Sequence, residues 1–263
     1  MPKTAYKFVF MLMAAAMTAC TSGNGPKQVA GFDIDSIAVD TIVALDGTKN
    51  SPVCELSLHL CYLKGDEQAQ RLNDTLLRAG VLMPDYFSLN REKLSIEALV
   101  DSFVRRYTAD YLAEYGPLYR TDKEHASAYQ VKYLVNTRFE ESTDNIVTHI
   151  ADIYTFGGGA HGIRQTLVLN IDTEKAKIIR LADILSEDGE ERAKNTVVKK
   201  MAKQFDVKTR DELEAKDIFS NTDVYLPENF ILSGKTITFI YGEDEIAPHE
   251  IGEIRVEMNR EEL

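Results

Sequence analysis

From Cys54 to Cys61 the chain reads Cys-Glu-Leu-Ser-Leu-His-Leu-Cys, with Leu56, Leu58 and Leu60 alternating against Glu55, Ser57 and His59. That period of two puts the leucines on one face of a half-buried strand. Upstream, Ile34 to Leu45 is rich in Ile and Val and predicts a first strand, with a turn at Asp46-Gly47. The period then lengthens. Asp66 to Ala79 predicts a helix stopped by Gly80. Ser95 to Tyr115, with Ile96, Leu99, Val100, Phe103, Val104 and Tyr107 at helical spacing, predicts a second, capped by Ser95 and ended by Gly116-Pro117.

Beyond His125 the pattern returns to strands. Residues 128–140 and 146–156 are separated by Glu141-Ser-Thr-Asp-Asn145, which predicts a hairpin loop. Further strands are expected over 164–171 and 176–180, followed by one helical turn at Leu181 to Leu185. Glu190 to Phe205 is amphipathic, with Ala193, Val197, Val198, Met201 and Phe205 on one side. A hairpin over 230–241 and a last strand over 252–259 complete the chain. This order predicts an α+β fold, mostly antiparallel sheet(s) with a few packed helices, and lacks the alternation of a doubly wound sheet. We divide it into an N-terminal module over 32–130 and a C-terminal module over 131–263.

The first residues are of another kind. Lys3 and Lys7 precede an apolar run, Phe8 to Ala19, which ends at Met17-Thr18-Ala19-Cys20. At about 1.5 Å per residue that run covers about 18 Å, short of a hydrocarbon core of about 30 Å. It therefore reads as a signal peptide over 1–19, and Cys20 as the lipidated cysteine of a bacterial lipoprotein. Residues 20–31, rich in Gly, Ser and Pro, read as a flexible tether. The expected location is the cell envelope outside the cytoplasm, lipid-anchored, in the outer membrane facing the periplasm. The formal charge of −12 becomes −14 once Lys3 and Lys7 are removed with the signal. Such a body repels nucleic acid and steers toward basic partners. Cys54 and Cys61, seven apart on one strand, face opposite ways about 23 Å apart, so two unpaired thiols are expected.

Candidate chemistry centres on Gly157-Gly158-Gly159-Ala160-His161-Gly162, which satisfies G-x-G-x-x-G. Dinucleotide binding needs a helix to follow, whose N-terminal amides hold the pyrophosphate. Residues 164–171 read as a strand instead, so no nucleotide is expected and the glycines serve a β-connection. His161 either faces a ligand or closes the turn. Pairing the strands about residues 158–159 sets His149 opposite residue 168, about 23 Å from His161, too far to share an ion. His59, His125 and His249 stand alone, and no His-Glu-x-x-His or Cys-x-x-Cys occurs, so no metal and no cofactor are expected. No G-x-S-x-G elbow marks a serine nucleophile.

The run Thr155 to Asp172, the turn Ile179-Arg-Leu-Ala-Asp-Ile-Leu185 and the closing Tyr241-Gly-Glu-Asp-Glu-Ile-Ala-Pro-His249 with Gly252 resemble an ectodomain of RsiV-type anti-sigma factors, which are lysozyme receptors. In that family a Gly-Gly-Ala-His turn precedes a strand, and an Ile-Ala-Pro-Tyr segment closes the module. His249 stands here where the family has an aromatic residue, and Ile184-Leu185 replaces an aromatic ending. Residues 45–130 resemble the companion module that also occurs in PdaC-type peptidoglycan deacetylases. The resemblance implies an α+β ectodomain and a binding surface, and carries neither anti-sigma nor deacetylase activity.

The expectation is a non-enzymatic binding module for a lysozyme-like protein or peptidoglycan. Its surface comprises Gly157, Gly158, Gly159, His161, Pro248 and His249, and its membrane contact is the lipid on Cys20. Alternatives are a cell-wall hydrolase using His161 with a carboxylate, or an accessory subunit of an envelope complex.

Overall fold

A computed structural model describes residues 28–86, 95–143 and 145–263, without the side chains of 141–143. The expected signal peptide, the lipidated Cys20 and tether residues 21–27 lie outside the described residues. Gln28–Val29 (β1) and Phe32–Ala44 (β2) form a tight hairpin, so the tether's last residues are built into the fold and Val29 is buried. Val53–Lys64 (β3) pairs antiparallel with β2 along its whole length.

Glu67–Leu76 (α1) starts at Asp66, whose carboxylate accepts the N–H groups of Gln68 and Ala69. A π-helical turn over Leu77–Val81 ends it with Gly80 at φ +101°. Ile96–Thr121 (α2) is capped by Ser95, as expected, but runs straight through Gly116-Pro117. The proline forfeits the bond to Ala113 O and costs about 3 kcal/mol. Packing offsets that loss: Tyr119 is only 6 % exposed, and Tyr115 and Tyr119 both pack on Tyr129.

A 3-10 turn over Ala126–Tyr129 occupies the start of the expected strand, which begins instead at Val131 (β4, Val131–Thr143). Next come Ile146–Phe156 (β5), Ile163–Asp172 (β6) and Lys177–Ile178 (β7). One seven-stranded sheet results, in the order β1 to β7, antiparallel except for β3 against β4. The helical crossover between those two strands covers one face: Leu72, Leu76, Leu99 and Phe103 pack on Leu56, Leu58 and Leu60. This α+β architecture is the expected class. The division expected between 130 and 131 falls between strands of this sheet, and the first core extends as far as Ile171.

A second core follows β7. Leu181–Ile184 (α3), Glu187–Gln204 (α4) and Arg210–Glu214 (α5, which no pattern predicts) precede Phe230–Leu232 (β8), Thr236–Tyr241 (β9) and Ile254–Asn259 (β10). The last three make a small antiparallel sheet, on which Ala193, Val197 and Met201 of α4 are buried. β5 and β6 are thus sandwiched. Leu169 and Ile171 face the first core, while Ile150 and Val168 meet Ile240 on the other side. That is why β6 is buried at four consecutive positions, 168–171, instead of alternating.

Two asparagines join the halves. The Asn229 side chain donates to Thr166 O (2.7 Å) and accepts from Val168 N–H (2.8 Å). Asn170 reciprocates, donating to Phe230 O (2.7 Å) and accepting from Leu232 N–H (3.1 Å). Each amide makes the two bonds that one residue of a parallel neighbour would make. Cys54 and Cys61 are unpaired; burial pushes the Cys54 thiol up to about 12 and raises that of Cys61.

Candidate binding surface

Residues 157–162 join β5 to β6, and the segment after them is extended from Ile163, as the sequence predicts. Thr155 pairs with Ile163 and His149 with Leu169. The hairpin therefore centres on Gly159, one residue along from the expected register against 168. Two glycines dictate the turn. Gly158 has φ +79°, and a Cβ there would lie 2.2 Å from Ala128 O; a Cβ at Gly162 would come within 2.5 Å of Thr155 O and the Tyr154 ring. Gly157 and Gly159 meet no such obstruction. The positions that matter sterically are thus not the full set that a phosphate motif would require.

This packing holds the exposed His161 against the loop after β9. The His161 and His249 rings stack, with centroids 3.8 Å apart and planes 24° from parallel. His249, expected to stand alone, has a second neighbour as well, because its Nδ1 lies 3.0 Å from Asp244 Oδ2. Charge and ring orientation together explain the arrangement: the carboxylate holds one imidazole, and the second lies flat against it.

The acidic loop Gly242-Glu243-Asp244-Glu245 is anchored at several points. Glu243 accepts the Arg164 N–H at 2.7 Å. Glu245 accepts the Gly242 N–H (2.6 Å) and the Tyr225 hydroxyl. Tyr225 belongs to an edge-on cluster with Phe219 and Tyr241. Burial, then the Glu245 hydrogen bond and charge, push the Tyr225 phenol well above its usual range. The Arg164 guanidinium lies 5.0 Å from the Tyr154 ring centre. Ile163, next to the turn, is 47 % exposed. Pro248 leads into a 3-10 turn over His249–Ile251, closed by Gly252 at φ +72°.

Residues 182–261 match the model of DUF3298, a protein family of unknown function. The fold is similar to the crystal structure of a DUF3298 family member from Bacteroides fragilis. That likeness has a TM-score of 0.78 and 24 % identity and covers 88 % of this chain and 91 % of that one. A DUF3298 family protein from Pseudomonas aeruginosa is similar at TM-score 0.59 and 18 % identity, covering 88 % and 92 %. At these identities the likeness shows the fold. No curated protein matches the chain.

Of the expected surface residues, His161, His249 and the glycine turn come together, although some ninety residues separate the two segments. Sequence reading missed Asp244, Glu243, Arg164 and Ile163, because nothing in a linear pattern marks the far side of a contact between loops. Asp152 is exposed and pairs with Arg138 at 2.5 Å. His149 is buried in the first core, 4.9 Å from the Phe139 ring, with Nδ1 unbonded. Among the described residues no group of three or more His, Cys, Asp and Glu side chains is placed to hold a metal ion. Nor, among them, is any helix long and apolar enough to cross a membrane.

Proposed function

We propose that this chain is a non-enzymatic binding protein of the cell envelope, anchored through a lipid on Cys20 in the outer membrane facing the periplasm. Its contact surface is the end of the molecule where His161 stacks on His249. The partner is a cationic, lysozyme-like protein. One observation carries the reading: two loops distant in sequence are locked together by a ring stack and a backbone-to-Glu243 bond, while a His–Asp pair within the second loop holds one of the stacked rings. Rigid loops of this kind cost little ordering entropy on binding. The surface offers exposed apolar area at Ile163, whose neighbour Arg164 gives its N–H to Glu243, and the loop carrying His249 exposes the carboxylates of Asp244 and Glu250. Its acidity suits a basic partner.

The test is retention of lysozyme by the immobilised Cys20→Ser chain at low and high salt. Retention should fall with salt, and His161→Ala with His249→Ala should weaken it at least tenfold at low salt while leaving the melting temperature within about 2 °C. Equal retention by the variant would end this reading. The Asp244–His249 pair supports a second one, in which the imidazole serves as general base of a cell-wall hydrolase. Incubation with purified peptidoglycan separates the two. Fragments released by the native chain but not by His249→Ala would establish the hydrolase.

A further inference from the structure

Among the described residues, the seven-stranded sheet has one outer edge with no further strand paired to it. β1 pairs with Phe32 and Asp33, so among the described residues β2 from Ile34 to Ala44 has no strand on its outer side. Long bare edges are templates for strand addition, and folded proteins block them with charged side chains, lysine above all, with proline, with bulges or with covering groups; the charges on β2 are Asp33, Asp35 and Asp40. β2 contains no proline, lysine or glycine, and its pairing with β3 runs without a bulge. Ile42 is 69 % exposed on it.

The direction of its backbone groups follows from its neighbour. Leu63 gives its N–H to Asn73 and Cys61 gives its N–H to Thr137, both away from β2. Ile34 and Ser36 lie opposite these residues. By antiparallel alternation, the N–H and C=O groups of 34, 36, 38, 40 and 42 point outward. Ser36 N–H donates to the adjacent Asp35 carboxylate at 2.8 Å, in keeping with that alternation.

We infer that β2 is the interface of a symmetric dimer, pairing antiparallel with β2 of a second copy about a two-fold axis at Ala38. This register sets Ile34 opposite Ile42 of the second copy, Asp35 opposite Thr41, Ser36 opposite Asp40, and Ile37 opposite Val39. Exposed Ile42 gains an apolar cross-strand partner, both aspartates face hydroxyl residues, and no acid opposes an acid. The outward groups supply about ten backbone hydrogen bonds, two of which form as the Ser36 N–H of each copy exchanges the Asp35 carboxylate for a carbonyl of the other. Moving the axis to Asp40 sets two carboxylates face to face, which disfavours that register.

The test uses the chain carrying Cys20→Ser. Analytical ultracentrifugation should show a concentration-dependent dimer, which Ile42→Lys weakens at least tenfold with an unchanged melting temperature. Ala38→Cys places two thiols across the axis, at a backbone separation of about 5.5 Å that a disulfide accommodates. Oxidation should link it into covalent dimers, whereas Asp35→Cys should not self-link. A monomer at every concentration up to several hundred micromolar would overturn the inference, as would equal linking of both cysteine variants. A dimer that forms only after residues 1–27 are deleted would assign the edge to the chain's own leader and overturn it too.

Discussion

The two ends of one sheet meet the same physical problem differently. At the β6 end, the outward backbone groups are taken up one by one. Glu243 accepts from Arg164, Asn229 serves Thr166 and Val168, and the Ile179 N–H reaches Asn170 O at 2.8 Å. At the β2 end, among the described residues, the side chain that meets an outward backbone group is that of Asp35, accepting from the N–H of its neighbour Ser36. Both ends are strands of ordinary β-forming residues, so propensity does not separate them. What separates them is whether another part of the chain returns to the edge. The second core returns to β6, and its loops carry the stacked histidines. No strand among the described residues returns to the outer edge of β2 beyond Asp33. One end is finished inside the molecule and bears the candidate site, and the other is left for a second copy.

The largest expected effect comes from undoing the finished end. Asn170 is 1 % exposed and bonds Phe230 O, Leu232 N–H and the Thr148 hydroxyl. Asn170→Ala strands buried groups whose desolvation is no longer compensated, at about 1–3 kcal/mol each. The expected loss is about 3 kcal/mol or more in urea unfolding. Asn229→Ala, at a half-buried position where water reaches the freed groups, should cost about 1 kcal/mol. Equal losses would mean that the two amides are not graded by burial as the structure grades them.

The turn beneath the histidines comes next. Gly158→Ala demands a positive φ of an L-residue and drives a methyl into Ala128 O, so it should cost about 2–3 kcal/mol and loosen the ring stack. Gly157→Ala meets nothing and should stay within about 0.5 kcal/mol of the parent. Thermal unfolding of the pair checks both. If Gly157→Ala were the worse of the two, the stated geometry of the turn would be wrong.

These contrasts also mark how far the sequence could be read. Alternation in Cys54–Cys61 and the helical period of Ser95–Tyr115 are local, and both elements stand where the pattern puts them. The helix stop at Gly116-Pro117 failed because tyrosine packing from outside the helix overrode a local signal. In β6, alternation was a poor guide to burial because a second core covers the other face, a fact written elsewhere in the chain. For the site, the sequence marked His161 and the Pro248-His249 segment separately. Their contact depends on the Gly158–Ala128 approach and on Glu243 reaching Arg164, both between distant residues. Asp244 was one acid among many until the fold placed it beside His249.

The last expected effect depends on pH and concerns a buried histidine on the finished side. His149, in β5, is 2 % exposed; burial first, then the nearby Arg138 charge, lower its imidazole to about 3. In the unfolded chain an imidazole titrates near 6.5. Between about 6.5 and about 3 the unfolded chain therefore binds a proton that the folded chain refuses. Stability from this group is complete above 6.5 and declines as pH falls, by at most about 1.4 kcal/mol per unit. His149→Phe keeps the ring against Phe139 and removes the titration. Unfolding free energies at pH 7.5, 6 and 5 should therefore diverge, with the native chain losing more than the variant below 6.5 and the two running parallel above it. Parallel losses throughout would mean that His149 takes up its proton inside the fold, which the apolar walls of the first core do not permit unless water enters beside Cys61 and Thr137, the neighbours with which it lines a cavity of about 10 Å³.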